Sequence, residues 1–264
     1  MKTIIGGMRD TLDASVAKFA QTPLKQSVFI NSVPKGGTHL LRNILRMFVP
    51  VEQHYEAEFV QLPVLHVHGR ALMSDPPFLV CGHLIFTSEA ALAVHKARQI
   101  LLIRDPYDWV LARTRFYLSD EFQNPELGLL KSGFVSMPQL LNLMIMGSLG
   151  KIPSLEDIYS LNAVAWLGTE ASVVRYEDAI EAVRDLHSPA AEAFFIKLFA
   201  DCGIDPPADW RERVEIGADR RQSRTARENL KLAAGLEVPD VLPDVQKQLV
   251  DFCAPGLRQV LGYA

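Results

Sequence analysis

The sequence predicts an α/β protein: one domain with a central parallel sheet covered by helices on both faces. Three observations lead there. Short apolar runs rich in β-branched residues recur at Ser27–Val33, Phe78–Cys81, Gln99–Ile103 and Ala171–Val174. These runs are almost continuously apolar, as strands buried on both sides of a parallel sheet are, and do not alternate. Segments with helical spacing and cap-type residues separate them, which calls for strand–helix–strand crossovers. A chain of 264 residues suits one large α/β domain or two small ones. No repeat, linker or low-complexity tract divides it, so residues 1–264 read as a single domain.

Taken in order, residues 1–25 form an N-terminal amphipathic helix or arm, with Leu12, Val16, Phe19 and Ala20 on one side. The strand Ser27–Val33 is cut by Pro34-Lys35-Gly36-Gly37-Thr38. A helix then carries Leu40, Leu41, Ile44, Leu45 and Phe48 at helical spacing. His66 and His68 sit in an apolar run with no third ligand nearby, which favours a strand edge or pocket wall over a metal site. Ser74-Asp75-Pro76-Pro77 is a turn, and the strand Phe78–Cys81 ends in Gly82-His83-Leu84. Ser88 opens a helix to Ala97 as its N-cap. The strand Gln99–Ile103 stops at Arg104-Asp105-Pro106. Asp105 can cap the next helix and Pro106 fits its first turn, so Tyr107–Leu118 is helical. Ser119–Ser136 reads as a long polar loop of the kind that forms lids or substrate walls. Helices are expected at Gln139–Gly147, Ser154–Gly168, Pro189–Cys202 and Asp244–Cys253, with the last strand at Ala171–Val174.

Bulk properties narrow the function. A formal charge of −4 argues against a nucleic-acid coat. Cys81, Cys202 and Cys253 form no CxxC pair and no zinc spacing, and read as reduced residues of a cytoplasmic protein. The first residues are too short an apolar run for a signal peptide. Leu140–Leu149, the nearest candidate for a membrane span, has half the roughly 20 residues required.

The turn after the first strand is where chemistry first shows. Two glycines permit backbone angles closed to other residues and let an anion approach the main chain. The amides of Gly36, Gly37, Thr38 and His39 would face outward at the positive end of a helix dipole. Lys35 adds a mobile cation and Thr38 a hydroxyl. Such a nest suits phosphate or sulfate. The nucleotide P-loop spacing G-x-x-x-x-G-K-[ST] is absent, and an ordinary βα turn is the plainer alternative.

The Pro-Lys-Gly-Gly-Thr stretch resembles the 5′-phosphosulfate loop of sulfotransferases, usually Pro-Lys-Ser-Gly-Thr, with Gly36 in place of the serine. Three further segments match the same family in order, so that the resemblance spans roughly residues 30–230. Val80-Cys81-Gly82-His83-Leu84 is similar to the segment carrying the family's catalytic histidine, with Ile85 where proline is common. The alternative for His83 is a core histidine bonded to a backbone carbonyl. Ile100–Asp108 resembles the 3′-phosphate strand and helix, which makes Arg104 the phosphate contact. Ala112 stands where a serine is usual, and Arg104 could instead pair with Asp105 or Asp108. Val173–Asp178 resembles an R-Y-E-D corner that sets Tyr176 near the adenine. Ser223–Arg227 aligns with a segment ending in Arg-Lys-Gly, so Arg227 matches while Glu228 and Asn229 depart. Arg220, Arg221 and Arg224 can supply the missing charge or simply form a solvated face.

The resemblance implies a P-loop-like fold and transfer of a sulfuryl group from 3′-phosphoadenosine 5′-phosphosulfate (PAPS) to a hydroxyl, or less readily an amine. His83 would serve as base, and Lys35 would stabilise the leaving phosphate. Nothing in the sequence demands a metal. Apolar residues around Phe59–Leu65, Phe86 and Phe134–Met146 suit a small acceptor with an apolar portion, and a homodimer is compatible with the sequence. Two other classes remain open: a P-loop kinase or phosphotransferase, and a non-catalytic binding protein built on the same fold.

Overall fold

The computed structural model describes residues 10–56, 59–73, 75–223, 225–232 and 236–264, together with the Ile4–Ile5 backbone. Four parallel strands make the sheet: β1 (Val28–Ser32), β2 (Leu79–Gly82), β3 (Arg98–Ile103) and β4 (Ser172–Arg175), in the order β2-β1-β3-β4. Val28 lies opposite both Leu79 and Arg98, Ser32 opposite Leu102, and Ile103 opposite Arg175. In this register the carboxyl ends of the strands line one rim. Because β2 and β3 flank β1 on opposite sides, the strand order reverses at β1, where open α/β sheets bind ligands.

The chain divides into two compact units. One comprises Asp10–Arg104 with Leu161–Gln222 and contains the sheet. The other comprises Met1–Arg9, Asp105–Ser160 and Ser223–Ala264 and is mainly helical, with a short antiparallel ribbon pairing Ile4–Ile5 with Phe122–Gln123.

In the sheet unit, Val28, Ile30, Leu79, Cys81, Ile100 and Leu102 share one core. Against them pack Leu41, Ile44 and Leu45 of the helix Thr38–Arg46 and Phe195, Leu198 and Phe199 of the helix Pro189–Cys202. Phe29, Val80, Leu101 and Ile103, which alternate onto the other face, are also buried. The sheet is therefore covered on both sides, as its apolar runs predict. Each such side chain contributes about 1.5–3 kcal/mol by leaving water.

Two buried arginines tie the N-terminal segment to this core. Arg46 reaches Asp10 at 2.8 Å and Asp13 at 2.7 Å. Arg213 donates to the carbonyls of Ala20 (2.8 Å) and Met47 (3.2 Å) and to Asp209. Among the described residues, the helix expected over 1–25 is confined to Leu12–Val16. Pro23 bars continuation, and the chain beyond Val16 gives its polar groups to tertiary partners, such as the Leu24 amide to Gln53.

Other expectations are corrected locally. His66 and His68 lie in a helical turn, Leu65–His68, instead of a strand edge, and Tyr55 Oη sits 2.8 Å from His68 Nδ1. Thr87, not Ser88, caps the helix Ser88–Val94, accepting from the Ala90 amide at 3.1 Å. Ser154–Gly168 breaks into Leu155–Asn162 and a 3-10 turn at Val164–Trp166. The polar stretch after Ser119 holds a 3-10 run, Pro125–Lys131, and Lys131 Nζ donates to the Ser119 and Phe122 carbonyls. Helices at Tyr176–Arg184 and Trp210–Gly217 were not anticipated. The turn expected at Ser74–Pro77 begins outside the described residues. As expected, Asp105 caps its helix by accepting from the Tyr107 amide at 2.9 Å, and Pro189–Cys202 and Asp244–Cys253 are helices with the expected bounds.

Gly217 sets how closely the helix Trp210–Gly217 approaches Thr38–Arg46. A Cβ there would stand 2.7 Å from Asn43 O and from Ile44 Cα. Gly217→Ala is expected to cost about 1–3 kcal/mol, read as a lowered thermal midpoint. An unchanged midpoint would mean that the two backbones do not meet at this point.

Candidate functional site

The turn leaving β1 is shaped by its main chain. Gly36 donates its amide to Val33 O at 2.9 Å, Lys35 has φ +68° and Gly37 has φ +101°. The Gly36 amide is thus spent on closing the turn, contrary to the expectation that it faces outward. Thr38 and His39 open the helix, where N–H groups have no intrahelical acceptor. Neither glycine tolerates a side chain here. A Cβ at Gly36 would fall 2.9 Å from Val33 O, so the serine usual in the resembled loop requires this backbone to shift. A Cβ at Gly37 would fall 2.1 Å from Tyr176 Cδ2.

Tyr176, the first residue of its helix, thereby forms a wall of the turn. Arg104, just past β3, stacks its guanidinium 4.4 Å from the Tyr176 ring centre and donates to Lys35 O at 3.4 Å. Arg258 holds the Asp105 carboxylate at 2.9 and 3.2 Å. The Tyr176 ring thus meets both Gly37 and Arg104.

His83 follows β2. Its Nδ1 lies 2.9 Å from Ser32 O and 3.2 Å from Ser32 Oγ. A carbonyl oxygen only accepts, so Nδ1 carries the proton and Nε2 keeps its lone pair. The alternative of a histidine bonded to a backbone carbonyl is therefore realised, but on the nitrogen that leaves the other one basic. Phe59 stacks on the imidazole at 4.6 Å and meets His39 edge-on at 5.2 Å. Burial, and then the nearby charge of Lys35, lower the His83 pKa to about 4, so the ring is neutral at pH 7.

Two residues that the sequence reading passed over assemble this corner. Ser32 Oγ lies 2.5 Å from Thr38 Oγ1 as well as within reach of His83. Asn31 exchanges two hydrogen bonds with the Leu84 backbone, at 2.9 and 3.1 Å, fixing the chain just beyond His83. A polar Asn-Ser pair closing an otherwise apolar strand is the signal that could have found them. Lys35, Gly36, Gly37, Thr38, His39, His83, Arg104 and Tyr176 thus all belong to one rim of the sheet unit.

Arg227 belongs to the other unit, where its guanidinium pairs with Asp240 and lines a cavity of about 700 Å3 together with Arg115, Leu230 and Val238. Near Ala112, Arg113 donates to Met144 O (2.9 Å) and Pro153 O (2.8 Å), and Thr114 to Val110 O. Both side chains are buried. Arg221 pairs with Asp219, and Arg224 lies outside the described residues. Leu140, Leu141, Met144 and Ile145, expected along a pocket, are buried core. Among the described residues no group of three or more His, Cys, Asp or Glu side chains could hold a metal, and no helix is long and apolar enough to cross a membrane.

No family model matches the chain, and no curated protein matches it in sequence. Its fold does have a counterpart in the crystal structure of mouse sulfotransferase SULT7A1 complexed with PAP. The likeness has a TM-score of 0.55 and 15% identity, and covers 96% of this chain and 92% of that one. The chain thus has the α/β fold of a sulfotransferase.

Two outcomes follow from the geometry. Gly37→Ala forces a left-handed alanine, about 1–2 kcal/mol by itself, against the Tyr176 ring, so thermal unfolding should show a clear loss of stability. Wild-type stability would contradict the turn described. For His83, the folded pKa of about 4 lies below the ordinary 6.5. Its contribution is complete above pH 6.5 and is lost as pH falls towards 4, because the unfolded chain binds the proton first. Between those values the wild type should lose stability more steeply than His83→Phe; parallel curves would contradict the shift.

Proposed function

We propose that the protein transfers a sulfuryl group from PAPS to a hydroxyl of a small acceptor, with an amine as the second choice. One observation carries the reading. A lysine-bearing turn, an imidazole protonated on Nδ1 and an arginine follow three adjacent parallel strands, β1, β2 and β3. The fold shared with a sulfotransferase solved with PAP supports it.

In this reading the Lys35–His39 turn holds the 5′-phosphate and Arg104 the 3′-phosphate. His83 Nε2 takes the acceptor's proton as its oxygen attacks sulfur in line. The bond from sulfur to the phosphate oxygen breaks, and Lys35 stabilises the charge left on that oxygen. The polyanionic donor raises the His83 pKa from its low resting value, bringing the base nearer to working pH. Phe59 and Phe86 offer apolar surface to an acceptor; Phe86 is partly exposed and packs edge-on against Trp166.

Calorimetry with adenosine 3′,5′-bisphosphate, without metal, is the first test, and binding is expected. Magnesium-dependent ATP binding in its place would favour a kinase. His83→Ala should lower turnover of labelled PAPS by about 10²–10⁴-fold while bisphosphate binding persists. Lys35→Ala should weaken both. Unchanged turnover in His83→Ala would remove the imidazole from the base role.

A further inference from the structure

We propose that Ser32 is a positioning residue: a one-directional chain from His83 Nδ1–H through Ser32 Oγ to Thr38 Oγ1 aims the Thr38 proton at a phosphate in the turn. The proposal rests on the sulfotransferase reading and adds a coupling between donor site and base.

Ser32 is fully buried at the end of β1. Its carbonyl accepts from His83 Nδ1 at 2.9 Å, its Oγ lies 3.2 Å from the same nitrogen, and Oγ to Thr38 Oγ1 is 2.5 Å. Counting protons fixes the direction. Nδ1 carries a hydrogen because the carbonyl can only accept it. That hydrogen also faces Ser32 Oγ, so the serine's own proton cannot point back at Nδ1 without opposing it. Among the described residues, the other polar atom that Ser32 Oγ meets is Thr38 Oγ1, which therefore accepts. The Thr38 proton is then left to turn away from β1. Thr38 is the first residue of the helix after Gly37, beside the amides at the mouth of the turn.

The two functions of the site thereby share one proton arrangement. The tautomer that leaves Nε2 basic is the one that makes Thr38 a donor to an anion. An anion taking that proton in turn favours the same tautomer. Neutral at pH 7, His83 affects phosphate affinity through these bonds and not through charge.

The test is a double-mutant cycle on bisphosphate affinity, measured by calorimetry at pH 7 for wild type, Ser32→Ala, His83→Phe and the double variant. Each single change is expected to weaken binding about three- to tenfold, the worth of one hydrogen bond. The double variant should be no weaker than the weaker single one. Ser32→Thr, which keeps the hydroxyl, should stay near wild type. Losses that multiply in the double variant overturn the relay. Variant-free, the ring ¹⁵N spectrum of wild-type His83 at pH 7 should show Nδ1–H, and an Nε2–H ring would also overturn it. Failure of the wild type to bind the bisphosphate defeats the sulfotransferase reading and the relay together. Binding with independent losses defeats the relay alone.

Discussion

The tightness of the turn from Val33 to Thr38 governs the rest of the site. Gly36 and Gly37 have no space for a Cβ, one because of Val33 and the other because of the Tyr176 ring. A loop this close to its neighbours exposes main chain instead of side chain. It also holds Lys35 in a left-handed conformation, a sparsely populated state that a surrounding structure must over-determine. Tyr176 does so from one side and Arg104, donating to Lys35 O, from another.

β1 transmits that rigidity to His83. Strand residues point alternately to opposite faces, so Asn31 and Ser32 reach different partners from adjacent positions. Asn31 grips the Leu84 backbone, while Ser32 meets the His83 ring and the Thr38 hydroxyl. The imidazole is held at its chain, at one nitrogen and at its face by Phe59. Buried polar networks of this sort are costly when partly satisfied and rigid when complete. Every residue in this account lies within the one unit that contains the sheet.

The sheet was legible because parallel strands buried on both faces leave unbroken apolar runs, and all four core strands fall within a residue or two of those runs. Helices opened by strong punctuation were legible too: Asp105-Pro106 and Ser188-Pro189 announce themselves. Tyr176–Arg184 and Trp210–Gly217 were not. Each opens on one aromatic residue followed by charged ones, and apart from Trp210 and Val214 their buried positions are Ala179, Ala182, Arg213 and Gly217, which carry little apolar signal. At the site, the residue types that hold charge were readable from the turn and from the strand ends. The hydroxyl and amide partners were not, since Asn31 and Ser32 reach His83 and Leu84 across about fifty positions of sequence. The expected outward amide of Gly36 failed for a related reason: closing the turn takes that hydrogen bond first.

The most direct measurement is a crystal structure of the protein with adenosine 3′,5′-bisphosphate. The 5′-phosphate is predicted on the turn, within hydrogen-bonding distance of the Thr38 hydroxyl and the first helical amides, with His83 Nε2 facing the same space. A nucleotide bound away from that turn, or an imidazole presenting Nδ1 instead, would contradict the account.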